Sequence, residues 1–314
     1  MFDPAEHPDL LIGLDGPDDA AVWKLSEDKA IVITTDFFTP VVDDPYDYGA
    51  IAATNSLSDI YAMGGKPFLA LNIAAFPGDL PVAVMSEILR GGAETCKQAG
   101  VVVAGGHTVQ DKEPKFGLVV LGFVDPQKMI TKSGAMIGDS LFITKPLGVG
   151  ILTTALKRGL LDEDQTANVS KWMSTKNATA GDLAVEFGVK CGTDITGFGL
   201  LGHSFEMAQS SGVGFSFSST SIPMLPGAVE FAKDWIFPGG SMDNKLHYES
   251  SVQFDETIED YLRMLLFDAQ TSGGLLLCVS PNNETAFVER AQQLNQPVWK
   301  IGKVYKGKGI RVTK

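Results

Sequence analysis

Residues 49–63 (GAIAATNSLSDIYAM) constrain this chain more than any other stretch. They hold no Lys, Arg or Glu, and Asp59 is their one charge. The spacing is helical. A helix that is apolar or small on nearly every face belongs in an interior. A carboxylate there is unfavourable unless something compensates its charge. Asn55 stands four residues before Asp59, so the two share a helix face. Upstream, residues 31–35 (IVITT) are β-branched and predict a strand ending at Asp36. An Asp at a strand end is a turn former or a ligand, and by itself it does not decide between them. Two aspartates, one closing a buried strand and one inside a buried helix, together suggest a divalent-cation site.

Length and charge bound the function. A chain of 314 residues predicts two domains. At 44% hydrophobic and 20% charged it has the composition of a soluble protein with sizeable cores. A net charge of −13 argues against binding nucleic acid or an anionic membrane, which calls for a basic patch. A phosphate substrate would then need local Lys or Arg, or metal ions. Cys96, Cys191 and Cys278 form no CxxC and read as core thiols of a reducing, cytoplasmic environment. The start of the sequence shows no basic and apolar leader, and no stretch approaches the roughly 20 apolar residues of a membrane span.

Taken in order, residues 1–17 read as irregular. Asp18 and Asp19 precede a strand and add Asp19 to the candidate ligands. Further strands are predicted at 67–75, 101–104 and 116–124, with an amphipathic helix over 81–100. Gly105 and Gly106 follow a strand and suit either a tight turn or a close backbone approach to a ligand. The domain boundary is expected near residue 132, giving domains 1–132 and 133–314. In the second domain, strands are predicted at 140–145, 214–218, 275–279 and 298–305. Helices are predicted at 151–158, 169–187, 198–211, 257–267 and 283–294. Strands and helices mix without a βαβ repeat, so the fold class is α+β.

Several familiar motifs fail on context. Gly197–Gly202 spells G-x-G-x-x-G, but no buried strand precedes it and no carboxylate lies near Ser221 or Ile222, so a dinucleotide site is not indicated. There is no G-x-x-x-x-G-K-[ST]. His7, His107, His203 and His247 lack zinc-site spacing, and no hydrolase elbow is present. What remains is Asp19, Asp36, Asp59 and Asp194, each beside small or apolar residues. Hard oxygen ligands of this kind suit Mg²⁺, and Mg²⁺ can hold a polyphosphate on an acidic protein. These residues point to a Mg²⁺-dependent enzyme that uses ATP.

The sequence resembles the selenophosphate synthetases (selenide, water dikinases) of the aminoimidazole ribonucleotide (AIR) synthetase superfamily. The resemblance is carried by Asp18-Asp19-Ala20-Ala21-Val22, Thr34-Thr35-Asp36-Phe37-Phe38 and the run from Asn55 to Pro67. It continues through Ala104-Gly105-Gly106-His107, Thr144-Lys145-Pro146-Leu147-Gly148, the run from Asp194 to His203, and Gln270-Thr271-Ser272-Gly273-Gly274. These runs span essentially the whole chain.

The resemblance implies two α+β domains, of which the C-terminal one is an α/β sandwich. It also implies a homodimer whose N-terminal strands build a shared β-barrel. It maps the family's Mg²⁺–ATP aspartates onto Asp19, Asp36, Asp59 and Asp194. Nucleotide contacts map onto Gly16, Pro17 and Asp18, with Asp36, Asn55 and Asp59, and onto Gly106, His107 and Thr108 reaching over from a partner subunit. The implied reaction takes ATP, selenide and water to selenophosphate, AMP and phosphate. The family also carries a glycine-rich N-terminal segment with a Cys or selenocysteine and a nearby Lys. Here no Cys precedes Cys96 and no Lys precedes Lys24, so neither catalytic residue can be assigned. The expectation is a core lacking that segment. The alternatives are a sibling small-molecule kinase, such as thiamine-monophosphate kinase, and a nucleotide-binding homologue without catalysis.

Overall fold

A computed structural model describes residues 6–14, 16 and 18–314. They form two units. The first holds the described residues up to 129 together with 174–178, and the second holds residues 130–173 and 179–314.

The first unit contains β1 (Leu10–Ile12), β2 (Ala21–Ser26), β3 (Lys29–Phe38), α1 (Pro45–Ala62), β4 (Lys66–Phe76), α2 (Val82–Gln98), β5 (Val102–Gln110) and β6 (Lys115–Val124). The strands make one sheet in the order β1-β2-β3-β6-β4-β5. Neighbours run antiparallel except β4 and β5. Alternation along β3 turns Ala30, Val32 and Thr34 inward and leaves Ile33, Thr35 and Phe37 exposed. α1 lies on the inward side and is buried from Tyr48 to Ala62. It starts where Asp44 caps the Asp47 N–H and a proline fills the first turn. α2 packs on α1 through glycines. A Cβ on Gly49 would stand 1.9 Å from the Ile88 carbonyl oxygen, and one on Gly91 would stand 2.0 Å from that of Tyr46. Two backbones this close leave no room for a side chain between them.

The second unit contains β7 (Ser140–Ile143), α3 (Val149–Lys157), α4 (Glu163–Ser174), α5 (Ala178–Glu186), β8 (Gly192–Asp194), α6 (Gly199–Ser211), β9 (Gly214–Ser218), α7 (Ala228–Lys233), α8 (Gly239–Tyr248), β10 (Val252–Phe254), α9 (Asp260–Leu265), β11 (Leu275–Val279), α10 (Glu284–Gln293), β12 (Trp299–Tyr305) and β13 (Gly309–Thr313). Its sheet runs β10-β13-β9-β12-β7-β11-β8. β7 and β8 both pair antiparallel with β11, in the register Ile143–Leu276–Thr193. They therefore run the same way and end together. This brings residues 144–146, 194–196 and 270–274 to one end of the sheet.

Several local expectations change. The strand expected to stop at Gly105 continues to Gln110. Gly105 and Gly106 hold φ values of +147° and +156° and sit where the β4–β5 register shifts, so the pair makes a bulge rather than a turn. The single helix expected over 169–187 is two. Residues between α4 and α5 leave the helical path, and Asn177 there donates to the Ser58 hydroxyl on α1 at 2.8 Å. β1, β8, α7, α8, β10 and β13 were not expected, and β8 is a buried strand just before the Gly197–Gly202 run.

Candidate functional site

The first unit brings three of the expected residues together. Asp36 is near the end of β3 and turns toward α1. There its Oδ2 accepts from Asn55 Nδ2 at 2.7 Å. One turn along α1, Asp59 is 8% exposed, and its Oδ2 accepts a short hydrogen bond from the Thr34 hydroxyl. Asn55 and Asp59 thus face one strand, and Thr34 and Asp36 answer from alternate positions of it. Ser56 adds a third tie. Its hydroxyl lies 3.0 Å from the Asp36 carbonyl oxygen and accepts the Leu118 N–H at 3.2 Å. β6 closes on the other side. A Cβ on Gly117 would stand 1.9 Å from the Asp36 carbonyl oxygen, so only glycine allows that approach.

Asp18 and Asp19 line a cavity of about 450 Å³ with Gly13, Ala20, Thr34 and Thr35, and Thr34 is the residue it shares with this group. Asp18 Oδ1 accepts the Asp19 N–H at 2.9 Å. Gly16 is exposed, with nothing within 4 Å of where its Cβ would be. Pro17 lies outside the described residues. Gly106, His107 and Thr108 are not brought to this group within one copy of the first unit. They lie exposed on the edge strand β5, separated from β3 by β6 and β4. Three strand spacings amount to about 14 Å.

The acidic side chains here, Asp18, Asp19, Asp36 and Asp59, offer carboxylate oxygens of the kind that suits Mg²⁺, and among the described residues no three His, Cys, Asp or Glu side chains converge closely enough to hold an ion by themselves. Mg²⁺ is bound in that way, by one or two carboxylates plus substrate phosphates and water rather than by an all-protein cage.

Asp194 ends β8 in the second unit and is 2% exposed. The next residue is tied to the neighbouring loop, Ile195 N–H to the Gly274 carbonyl at 2.9 Å. Lys145, 3% exposed, reaches the same loop and donates to the Ser272 carbonyl at 2.7 Å. Ser272 holds a left-handed φ of +53°. Burial drives the Lys145 ammonium down to about 7, against the attraction of Asp194. Neither Lys145 nor Thr34 is among the candidate site residues of the sequence, although both fall in the runs that carry the resemblance. The signal for Lys145 is a lysine at the end of the strand predicted over 140–145, two residues past Ile143. For Thr34 there was none, because a threonine inside a strand is ordinary.

Comparison with known proteins identifies the class. Residues 17–124 match the family described as AIR synthase related protein, N-terminal domain, and residues 137–314 match its C-terminal domain. The fold agrees. Thiamine-monophosphate kinase from Stenotrophomonas maltophilia K279a superposes with a TM-score of 0.73 over 98% of this chain and 92% of its own, at 19% identity. The chain is therefore an AIR synthase-related protein of the α+β class.

Its curated relatives narrow this further. A selenide, water dikinase from Carboxydothermus hydrogenoformans is 47% identical over 307 residues, 98% of this chain and 89% of the relative. Another from Caldanaerobacter subterraneus subsp. tengcongensis is 50% identical over 274 residues, 87% of this chain and 79% of the relative. The chain belongs to the selenide, water dikinase family.

Proposed function

We propose that the chain makes selenophosphate from selenide, ATP and water, releasing AMP and phosphate. The observation that carries this reading is the pair of carboxylates Asp36 and Asp59, fixed by Asn55 and Thr34 beside the cavity lined by Asp18 and Asp19. Membership of the selenide, water dikinase family supplies the substrates.

Asp19, Asp36 and Asp59 are the ligands the first unit offers to Mg²⁺, and Asp194 is the ligand the second unit offers. Bound Mg²⁺ supplies the positive charge that a protein of net charge −13 lacks and neutralises the phosphate oxygens. The chain's own residues orient. Asn55 holds the Asp36 carboxylate from one side, and Thr34 holds that of Asp59. Gly16, Pro17 and Asp18 contact the nucleotide. Selenide takes the γ-phosphoryl group of ATP, forming the selenium–phosphorus bond as ADP leaves. Water then takes the β-phosphoryl group of ADP, leaving AMP.

The working form is a homodimer. The face of the first sheet away from α1 exposes Trp23, Leu25, Ile33, Phe37, Val102 and Val109. Several exposed apolar side chains on one sheet face suit an interface. A second copy covering it also brings a second β5, with Gly106, His107 and Thr108, to this face. The three free, buried cysteines suit the cytoplasm.

Phosphorus NMR under anaerobic, reducing conditions tests the reaction. With Mg²⁺, ATP and selenide, a selenophosphate resonance should grow in step with AMP and phosphate. ATP consumption that does not depend on selenide would contradict the proposal.

A further inference from the structure

In the second unit, a chain of side chains holds the loop that follows Asp194. The Thr196 N–H donates to His203 Nε2 at 3.2 Å, and the Thr196 hydroxyl oxygen lies 3.2 Å from the same nitrogen. A ring nitrogen that accepts a main-chain N–H carries no proton in the neutral ring, which places the proton on Nδ1. Nδ1 faces Glu206 Oε2 at 3.6 Å, one turn further along α6. The same oxygen takes Lys132 Nζ at 3.0 Å. Burial works to raise the Glu206 carboxyl, but the His203 ring and the Lys132 ammonium beside it outweigh it and hold it below its ordinary value. The Phe198 ring packs on the imidazole with centroids 5.4 Å apart.

Two neighbouring carbonyls of this loop are also anchored. The Thr196 carbonyl accepts the Gln270 N–H at 2.9 Å, and the Gly197 carbonyl accepts Asn244 Nδ2 at 2.8 Å. Gly199 needs its left-handed φ of +68°, and a Cβ there would stand 2.7 Å from the Asp268 carbonyl oxygen. So much restraint on five residues is more than is needed to enter a helix. Its fixed end is Asp194, two residues before the peptide that His203 holds.

We infer that His203, oriented by Glu206 and Lys132, is a positioning residue for Asp194: it fixes the Thr196 peptide and through it the direction in which the Asp194 carboxylate meets a divalent cation. This rests on the reading of Asp194 as a cation ligand given above. Partners one shell out from a metal ligand commonly change metal affinity by about 10–100-fold.

The test is Mn²⁺ binding in the presence of a non-hydrolysable ATP analogue, followed by electron paramagnetic resonance on the whole chain. Thermal melting is recorded alongside as the structural control. Asp194→Asn should weaken Mn²⁺ binding. His203→Leu, which cannot accept the Thr196 N–H, should weaken it by about tenfold. His203→Gln offers a side-chain oxygen in place of Nε2 and should return most of the affinity. Glu206→Gln keeps the shape and removes the charge, so it tests the same point if the leucine variant does not fold; a several-fold loss is expected. Normal binding by folded His203→Leu and Glu206→Gln proteins, while Asp194→Asn weakens it, overturns the positioning role. Normal binding by Asp194→Asn overturns the ligand reading itself, and the positioning role with it.

Discussion

Thr34 shows how one hydroxyl can hold a buried carboxylate in place. Its hydrogen bond reaches Asp59 on the helix side of the sheet, where both residues are buried. Thr34→Val keeps the shape and removes the donor. A lost partner for a buried polar group costs about 1–3 kcal/mol. Urea unfolding should show that loss, and calorimetry should show weaker Mg²⁺–ATP binding, with Thr34→Ser restoring both. A valine variant with unchanged ATP affinity would separate Thr34 from the site. The aspartates were legible in the sequence because a carboxylate in an apolar helix has to be explained. The threonine was not, because its importance comes entirely from which side of β3 it faces.

At the scale of the element, α3 shows why local reading stops short. Gly148 begins it in the left-handed region with no side-chain cap of its own. Its first N–H groups are satisfied from a distant loop instead. Gln270 Oε1 accepts from Gly148 and Val149, and Asp268 Oδ2 accepts from Gly150 and Ile151. A cap more than a hundred residues away in sequence leaves no mark beside the helix. Burial drives the Asp268 carboxyl up to about 7, against the Ser241 and Gln270 side chains and the two peptide N–H groups. The unfolded residue titrates near about 3.9. Between those values the native chain keeps a proton the unfolded chain has released, so stability falls as pH rises through that window. Asp268→Asn lacks this dependence. Urea unfolding of both proteins at pH 5 and pH 8 should show the balance moving toward the asparagine variant with rising pH. An unchanged difference would mean that Asp268 is ionised throughout. The break between α4 and α5 has the same kind of origin, since Asn177 leaves the helical path to reach Ser58.

On the scale of the whole molecule, the two-domain α+β class was readable from strand and helix periodicity and from motif runs distributed along the chain. The partner of the exposed sheet face was not, because alternation along β3 reports only that two faces differ. If a second copy covers that face, the chain should sediment as a dimer, and Phe37→Asp, at a position 51% exposed in one copy, should shift it to monomer. A wild-type monomer at micromolar concentration would remove the interface. The central claim is that the Asp36–Asp59 pair exists to hold a cation-bound polyphosphate. Calorimetric titration of Mg²⁺–ATP into wild type and Asp59→Asn tests it most directly. The variant should fold with unchanged or raised melting temperature, because a buried charge is gone, and should lose measurable binding. A folded Asp59→Asn protein that binds Mg²⁺–ATP as wild type does would contradict it.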